Sequence, residues 1–168
     1  VLGACNFGGS SSVDPISLSA IKGPLKEALA FVDRDGDGVF DDGEEFAVTG
    51  SDGSATINPN SEIGSDIKFV ITSIGAGQTI GGVTYATGTV DTNTGGNVAD
   101  LVLKAPSTAT VVTPVTTIMA ETTLTEAEVK AVLGLPAAMD ILSFNPFEEN
   151  LSAADQAIAL EAEKVALK

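Results

Sequence analysis

The sequence contains no histidine and no tryptophan, and its only cysteine is Cys5. Without histidine the chain cannot form a Ser-His-Asp triad, a histidine-activated cysteine nucleophile or a zinc site with imidazole ligands. Because Cys5 stands alone, no disulfide can form within the chain. The sequence also lacks any stretch of about 18 consecutive apolar residues, so we expect no membrane-spanning helix.

Basic residues are scarce, with 8 Lys and Arg against 23 Asp and Glu, and the formal net charge is -15. Nucleic-acid phosphates and anionic membrane surfaces repel such a chain. We therefore expect no nucleic-acid partner, and a membrane only through a lipid on Cys5. Aromatic residues make up 5% of the chain and hydrophobic residues 43%, which is enough for a core. The abundance of Gly, Ala, Ser, Thr and Val is typical of β-structure with many turns.

The strongest chemical pattern is the stretch from Asp33 to Glu44, D-R-D-G-D-G-V-F-D-D-G-E. A twelve-residue calcium loop takes its oxygen ligands from roughly positions 1, 3, 5, 7, 9 and 12 and has glycine at position 6. Gly38 stands at the glycine position. The predicted Ca²⁺ ligands are the side chains of Asp33, Asp35, Asp37, Asp41 and Glu44, together with the backbone carbonyl of Val39.

The alternative is an acidic, solvated turn without a metal. Residues 33 to 45 carry seven carboxylates and one arginine, Arg34, and two like charges about 4 Å apart repel by roughly 1 kcal/mol even in water. Such crowding favours a bound cation. Apolar runs at Ala28–Val32 and Phe46–Thr49 predict strands on both sides of the loop. Calcium-sensor loops are flanked by helices and act by opening the helix pair. A loop between strands has nothing comparable to open, so we expect the metal here to be structural.

Several further segments alternate in the manner of strands. Asp52-Gly53 is typical of a tight turn and predicts a hairpin in which Ser54–Ile57 follows the preceding strand. The other predicted strands are Ile16–Ile21, Ile67–Ile74, Val83–Val90, Leu101–Leu103 and Thr110–Thr113.

The polar segment from Asp91 to Asp100 matches the calcium-loop pattern only in part. Asp91 and Asn93 stand where positions 1 and 3 of a calcium loop would be, but position 5 is Gly95 and position 12 is Val102. Few carboxylates remain, so a polar turn is favoured and a weak calcium site is the alternative.

From Thr113 the pattern becomes helical. Thr113-Pro114 predicts a helix start, Thr125-x-x-Glu128 is a capping box, and Ser152-x-x-Asp155 predicts the start of the longest helix. The sequence thus predicts an α+β chain: an antiparallel β-sandwich with the calcium loop at 15–112, followed by a small helical C-terminal region at 113–168.

Residues 1–14 form a predicted tail with a Gly/Ser-rich end. One hypothesis is that Val1–Phe7 is a donor strand that pairs with a neighbouring subunit. A second is lipidation, because Leu2-Gly3-Ala4-Cys5 resembles the lipobox at which bacterial lipoproteins are lipidated on cysteine. A third is a terminus without a role. We rank strand donation first.

The segment Ile21–Ile57, with its strand, D-x-D-x-D-G-x-x-D-x-G-E loop and D-G turn, resembles prealbumin-like or Cna-B-like modules of bacterial surface proteins. Val111–Ile118 and Leu133–Pro136 resemble the helical extension that follows some of these modules. The resemblance implies an extracellular or cell-surface location and a calcium-dependent structural or adhesive role without enzymatic activity.

The sequence is compatible with three functions. The favoured one is a calcium-stabilised structural subunit of a bacterial extracellular fibre, matrix or surface assembly, a homo-oligomer or polymer that polymerises through its N-terminal segment. The alternative is a lipid-anchored or secreted adhesion or carbohydrate-binding module, although Tyr85 and seven phenylalanines offer few aromatic platforms. An enzyme using Glu44 and Asp41 as an acid/base pair is disfavoured, because the calcium site needs both acids.

Overall fold

The computed structural model describes residues 13–147 and 152–166. This part contains twelve strands and three helices. The strands are β1 (Ile16–Ala20), β2 (Leu25–Lys26), β3 (Ala28–Asp33), β4 (Phe46–Val48), β5 (Ser54–Ile57), β6 (Lys68–Ser73), β7 (Gln78–Ile80), β8 (Val83–Tyr85), β9 (Val90–Asp91), β10 (Gly96–Asn97), β11 (Val102–Pro106) and β12 (Val111–Val112), and the helices are α1 (Pro114–Glu121), α2 (Glu126–Leu133) and α3 (Ala153–Ala166).

The strands form several mostly antiparallel sheets. The largest has the order β11-β6-β3-β4, a second has the order β12-β1-β5, and two smaller ones are β10-β9-β2 and β7-β8. All described pairs are antiparallel except β1 with β12, which run parallel. The predicted α+β class is therefore confirmed. The sandwich arrangement stays a prediction.

The two larger sheets contribute buried side chains to one apolar core. Leu18 and Ile57 come from the sheet β12-β1-β5, and Phe69, Ile71 and Leu103 come from the sheet β11-β6-β3-β4. Because successive side chains of a strand point to opposite faces, β3 also serves a second cluster on its other face. That cluster is built from Leu29, Phe31, Val70 and Ile74. Every residue of β3 is buried, which explains its unbroken apolar run before Asp33.

Two strand predictions need correction. Ser54–Ile57 does not form a hairpin with the strand before it. It pairs antiparallel with β1, with Ile16 opposite Ile57, because this pairing brings Ile57 into the core beside Leu18. The predicted strand at 83–90 is interrupted: Gly88 has φ 69° and lies so close to the next segment that an added Cβ would be 2.5 Å from the Ile74 carbonyl oxygen.

The predicted helix starts are confirmed. Thr113 and Thr125 both form capping boxes, and α2 ends at Gly134 in the left-handed conformation with φ 68°. The helices share a cluster of their own, made by Val115, Val129, Leu135, Met139, Ile141 and Ala162.

The remaining predictions concern membrane-spanning helices, the N-terminal segment and the domain boundaries. None of the helices in the described ranges is both long and apolar enough to cross a membrane. Cys5 and the segment Val1–Phe7 lie outside the described residues. The domain boundaries proposed at 14/15 and 112/113 stay predictions.

Candidate metal site

The loop from Asp33 to Glu44 connects two neighbouring antiparallel strands. Asp33 is the last residue of β3, and Phe46 begins β4, with Phe31 opposite Phe46 in the register. The predicted strand flanks are therefore confirmed. The two ends of the loop are held together by the sheet, since Val32 N–H donates to the Glu45 carbonyl at 2.9 Å.

Three aspartates of the loop come together. Asp33, Asp35 and Asp37 each offer a carboxylate oxygen, and these oxygens all lie within 4.8 Å of one another. Ligand oxygens at about 2.3–2.6 Å from a Ca²⁺ ion are separated from each other by at most roughly 5 Å. The spacing therefore fits a single hard cation. Asp33 is 1% exposed, whereas Asp35 and Asp37 are exposed, so the site opens to solvent on one side.

Backbone N–H groups wrap the loop around these carboxylates. Gly36 N–H and Gly38 N–H donate to the two oxygens of Asp33 at 2.8 and 3.1 Å. Asp37 N–H donates to Asp35 at 3.2 Å, and Val39 N–H donates to Asp37 at 2.7 Å. A carboxylate oxygen has two lone pairs, so these bonds orient the side chains while leaving acceptor capacity for a cation.

Glu44 closes the loop from its far end. Its Oε1 accepts a hydrogen bond from Arg34 N–H at 2.8 Å, and its Oε2 accepts one from Asp41 N–H at 3.1 Å. Glu44 is therefore tied to the first turn of the loop, but it is not part of the group of three aspartates. The ligand roles of Glu44, Asp41 and the Val39 carbonyl stay predictions.

Glu45, the seventh acid of the segment, has a different role that the sequence did not reveal. It accepts two hydrogen bonds from the Arg34 guanidinium, at 2.8 and 3.1 Å, and one from Asn60 N–H at 2.7 Å. The Arg34 guanidinium holds the pKa of Glu45 below its ordinary value. Arg34 thus neutralises one acid at the base of the loop. The one signal in the sequence was an arginine inside an otherwise acidic stretch.

Lys104 and Phe40 also contribute to the loop and were not predicted. A Cβ placed on Gly38 would lie 3.0 Å from Lys104 Nζ, so the ammonium group sits against the loop backbone. Phe40 packs edge-on against Phe31 and Phe46, with ring centroids 5.6 and 5.0 Å apart. The loop therefore has an apolar contact with the sheet as well as a basic neighbour from β11.

The second candidate site has the geometry of a polar turn. Asp91 is 8% exposed, and its Oδ1 accepts hydrogen bonds from Asn93 N–H at 2.9 Å and Thr94 N–H at 3.2 Å. Its carboxylate also lies directly against Gly23, which has φ 97° and no room for a Cβ. These contacts account for a buried carboxylate without a metal. Within the described ranges, the three loop aspartates are the one group of three or more potential metal ligands whose ligand atoms all lie within 4.8 Å of one another. A ligand role for Asp91 and Asn93 stays a prediction.

The donor set of the loop consists of oxygen atoms, which suits a hard divalent cation. The three aspartates can hold such an ion. No protein-family model, no curated protein and no solved structure matches the chain.

Proposed function

We propose that the loop from Asp33 to Glu44 binds calcium, and that the protein is a non-enzymatic, calcium-stabilised structural subunit of a bacterial extracellular fibre, matrix or surface assembly. The single observation that carries the proposal is the grouping of Asp33, Asp35 and Asp37 in a loop between two antiparallel strands.

Calcium is the cation that this loop suits best. Ca²⁺ accepts six to eight oxygen ligands in a flexible arrangement, whereas Mg²⁺ requires a near-ideal octahedron at about 2.0–2.1 Å and retains several waters. The loop offers carboxylates at positions 1, 3, 5, 9 and 12 of a calcium loop. Because Ca²⁺ takes more protein oxygens in a flexible arrangement, it can coordinate more of these carboxylates directly than Mg²⁺ can.

The attachment of the loop to the largest sheet supports the proposed structural role. β3 and β4 are neighbours in the largest sheet, and β3 is buried on both faces. Moving these strands apart would expose the core, so binding does not work by opening the pair. A ligand that binds only the folded state adds about 2.7 kcal/mol of stability at 100 times its dissociation constant. Extracellular calcium modules bind with dissociation constants of about 0.1–1 mM, which fits the proposed location.

We propose that the β-region is a sandwich of the prealbumin-like or Cna-B-like kind, and that copies associate through donation of the Val1–Phe7 segment to a sheet edge. Support comes from the sequence resemblance and from the two sheets that share one core. The proposed lack of catalysis rests on the absent histidine and on the use of Asp41 and Glu44 in the loop.

Calorimetric titration with Ca²⁺ and with Mg²⁺ tests the metal site. We expect saturable Ca²⁺ binding, a higher melting temperature with Ca²⁺ than with chelator, and a loss of both effects in Asp33→Asn and Asp37→Asn. The matched control is Asp42→Asn, because Asp42 is exposed and stands at a position from which no ligand is expected. Equal weakening by Asp42→Asn would mean that only general negative charge attracts the ion.

Electron microscopy of the purified protein with and without chelator tests the assembly. We expect ordered polymers in calcium that depolymerise on chelation, and no polymers from a variant lacking residues 1–7. Monomers under all conditions would contradict the structural role. A specific signal on a glycan array would then favour the adhesion module, and a diacylglyceryl group on Cys5 in mass spectra would favour its lipid-anchored form.

A further inference from the structure

β4 lies at an edge of the largest sheet, where it pairs with β3 on one side only. Val32 N–H donates to the Glu45 carbonyl at 2.9 Å, one position beyond the Phe31–Phe46 pair. Because hydrogen-bonded and non-hydrogen-bonded pairs alternate along an antiparallel ladder, the N–H and C=O groups of Phe46 and Val48 point away from β3. Within residues 13–147 and 152–166 these groups have no hydrogen-bond partner. The outer edge of β4 is therefore open to another strand.

Protein groups cover the outer edges of β11 and β12. β11 is the other edge of the largest sheet, and there Lys104 N–H donates to Thr117 Oγ1 at 2.9 Å while the Lys104 carbonyl accepts from Thr116 Oγ1 at 3.0 Å. At β12, an edge of the sheet β12-β1-β5, Val111 N–H donates to the Leu142 carbonyl at 3.2 Å. An added strand would have to displace these contacts.

β5, the remaining edge of the two larger sheets, offers a shorter template. Both backbone groups of Ser54 are occupied: its carbonyl accepts from Gly50 N–H at 2.8 Å, and its N–H donates to Asp52 at 3.0 Å. In the described ranges, only Thr56 of β5 has outward backbone groups without a partner. β4 thus offers the longest free edge that the two larger sheets present in this part of the chain.

The open edge continues into an exposed apolar surface. Phe46 is 37% exposed, and the β7–β8 turn packs against its ring, since a Cβ on Gly81 would lie 2.9 Å from Phe46 Cζ. Val83, the first residue of β8, is 55% exposed. Residues two apart on a strand share a face, so Val48 lies on the same side of β4 as Phe46. A strand added beside β4 would bring every second side chain against this surface.

We propose that the outer edge of β4 receives the Val1–Phe7 segment of a second copy as an added strand, with hydrogen bonds to the backbone of Phe46 and Val48. This inference rests on the strand donation proposed above and names the surface that accepts the donor. In complexes of this kind, main-chain hydrogen bonds supply affinity and alternate side chains supply specificity.

The composition and length of the segment match this edge. Residues 1–13 contain no charged side chain, although the formal net charge of the chain is -15. The segment can therefore approach another acidic copy without adding charge repulsion. Its apolar residues, among them Val1, Leu2 and Phe7, suit the exposed surface at Phe46. Seven extended residues span about 23 Å, which is more than the roughly 10 Å of a three-residue strand.

Disulfide trapping tests the pairing, because Cys5 is the only cysteine in the chain and opposite residues of neighbouring strands come within disulfide distance. We expect mild oxidation to link Cys5 of one copy to the introduced cysteine of another in Ala47→Cys or Val48→Cys, two variants that cover both faces of β4. The control is Val102→Cys on the covered edge of β11, where Val102 is 48% exposed. It should form about tenfold less of the mixed disulfide, a difference equivalent to about 1.4 kcal/mol of pairing free energy.

Peptide mass spectrometry of a mixture of isotope-labelled and unlabelled protein identifies the linked peptides. We expect disulfides between labelled and unlabelled chains. Disulfides formed only within one chain would mean that the segment covers its own β4. Equal yields in Ala47→Cys, Val48→Cys and Val102→Cys would mean that the links arise from chance collisions. Either result overturns the proposal.

Proline substitution is the second test. Val48→Pro removes an N–H group that points away from β3, and sheets tolerate proline at such edge positions, so the pairing of β3 with β4 is kept. Thr56→Pro makes the equivalent change on β5. Once circular dichroism shows that both variants are folded, we expect electron microscopy to find no polymers of Val48→Pro and normal polymers of Thr56→Pro. Loss of polymers in Thr56→Pro alone would place the acceptor on β5 and overturn the proposal.

Failure of this inference is distinguishable from failure of the proposed function. Polymers that persist in Val48→Pro, together with no specific disulfide at β4, would leave the assembly intact and reject β4 as the acceptor. A specific disulfide without polymers would support the pairing and contradict the extended assembly. The absence of both would reject strand donation altogether, while the calcium titration tests the metal site independently.

Discussion

Arg34 and Glu45 face each other across the two ends of the loop from Asp33 to Glu44 and share two hydrogen bonds. Arg34 Nε donates to Glu45 Oε2 at 3.1 Å, and Arg34 Nη2 donates to Glu45 Oε1 at 2.8 Å. Arg34 directly follows β3 and Glu45 directly precedes β4. The same guanidinium donates to the carbonyls of Ser61 and Glu62. Hydrogen bonds between protein groups alone therefore hold the two ends of the loop together. A cation that binds to the loop would then have to order less of the chain.

Replacing Glu45 with glutamine should lower the free energy of unfolding by about 2 kcal/mol, because it removes the charge from a largely buried pair and leaves the Arg34 guanidinium without its carboxylate. Urea denaturation in chelator measures the change. Glu161→Gln is the control: its ion pair with Lys164 is exposed, so we expect a change below about 0.5 kcal/mol. Similar losses in both variants would mean that the Arg34–Glu45 pair contributes no more than a surface contact.

The same pair predicts a dependence of stability on pH. The Arg34 guanidinium lowers the pKa of Glu45 in the folded protein. In the unfolded chain the pKa of a glutamate is about 4.3. The stabilisation is therefore fully present above about pH 4.3 and is lost as the pH falls through the lower, folded-state pKa. We expect the difference in unfolding free energy between wild type and Glu45→Gln to shrink as the pH falls from 7 toward 3 in chelator. A difference that stays constant over this range would contradict the assignment.

The features that sequence reasoning predicted correctly are local ones. The spacing of Asp33, Asp35 and Asp37 groups their oxygens because a glycine-containing turn brings alternate residues together. The caps at Thr113 and Thr125 are likewise formed within four residues. In each case the interacting atoms belong to neighbouring residues, so the pattern in the sequence contains nearly all the information.

The features that could not be predicted from the sequence depend on contacts between distant parts of the chain. Ser54–Ile57 looked like half of a hairpin, but its partner is β1, and a register between segments so far apart follows from the shape of the whole core. Lys104 lies beside the loop only because β11 and β6 are neighbours and β6 pairs with β3. No spacing rule connects Lys104 with Gly38.

Two loop glycines offer a matched pair of substitutions. Gly36 and Gly38 have φ 83° and 77°, but a Cβ on Gly36 meets nothing within 4 Å, whereas one on Gly38 lies 3.0 Å from Lys104 Nζ. Both alanine variants adopt an unfavourable left-handed conformation, which costs about 1 kcal/mol. Gly38→Ala must in addition push the end of the flexible Lys104 side chain away from the loop, so we expect it to be slightly less stable than Gly36→Ala, by about 0.5 kcal/mol. Urea denaturation in chelator measures both, and a reversed order would contradict the position of Lys104.

Phe40 is the apolar anchor of the loop and provides the last prediction. Its ring packs against Phe31, which is fully buried, and against Phe46. Phe40→Ala should lower the free energy of unfolding by about 2 kcal/mol, less than for a fully enclosed ring because Phe40 is partly exposed. Its neighbour Val39 is 58% exposed, so the control Val39→Ala should change stability by less than about 0.5 kcal/mol.

Phe40→Ala should also weaken calcium binding by about tenfold, equivalent to about 1.4 kcal/mol, because binding must then order a loop that no longer packs on the sheet. The control Val39→Ala keeps the backbone carbonyl predicted as a ligand, so its affinity should match that of the wild type. Calorimetric titration of both variants, carried out where each is folded, separates the two effects. If Phe40→Ala is destabilised but binds calcium with unchanged affinity, the Phe40 contact supports the sheet and not the loop, and the order of the loop comes from its own hydrogen bonds and from Arg34.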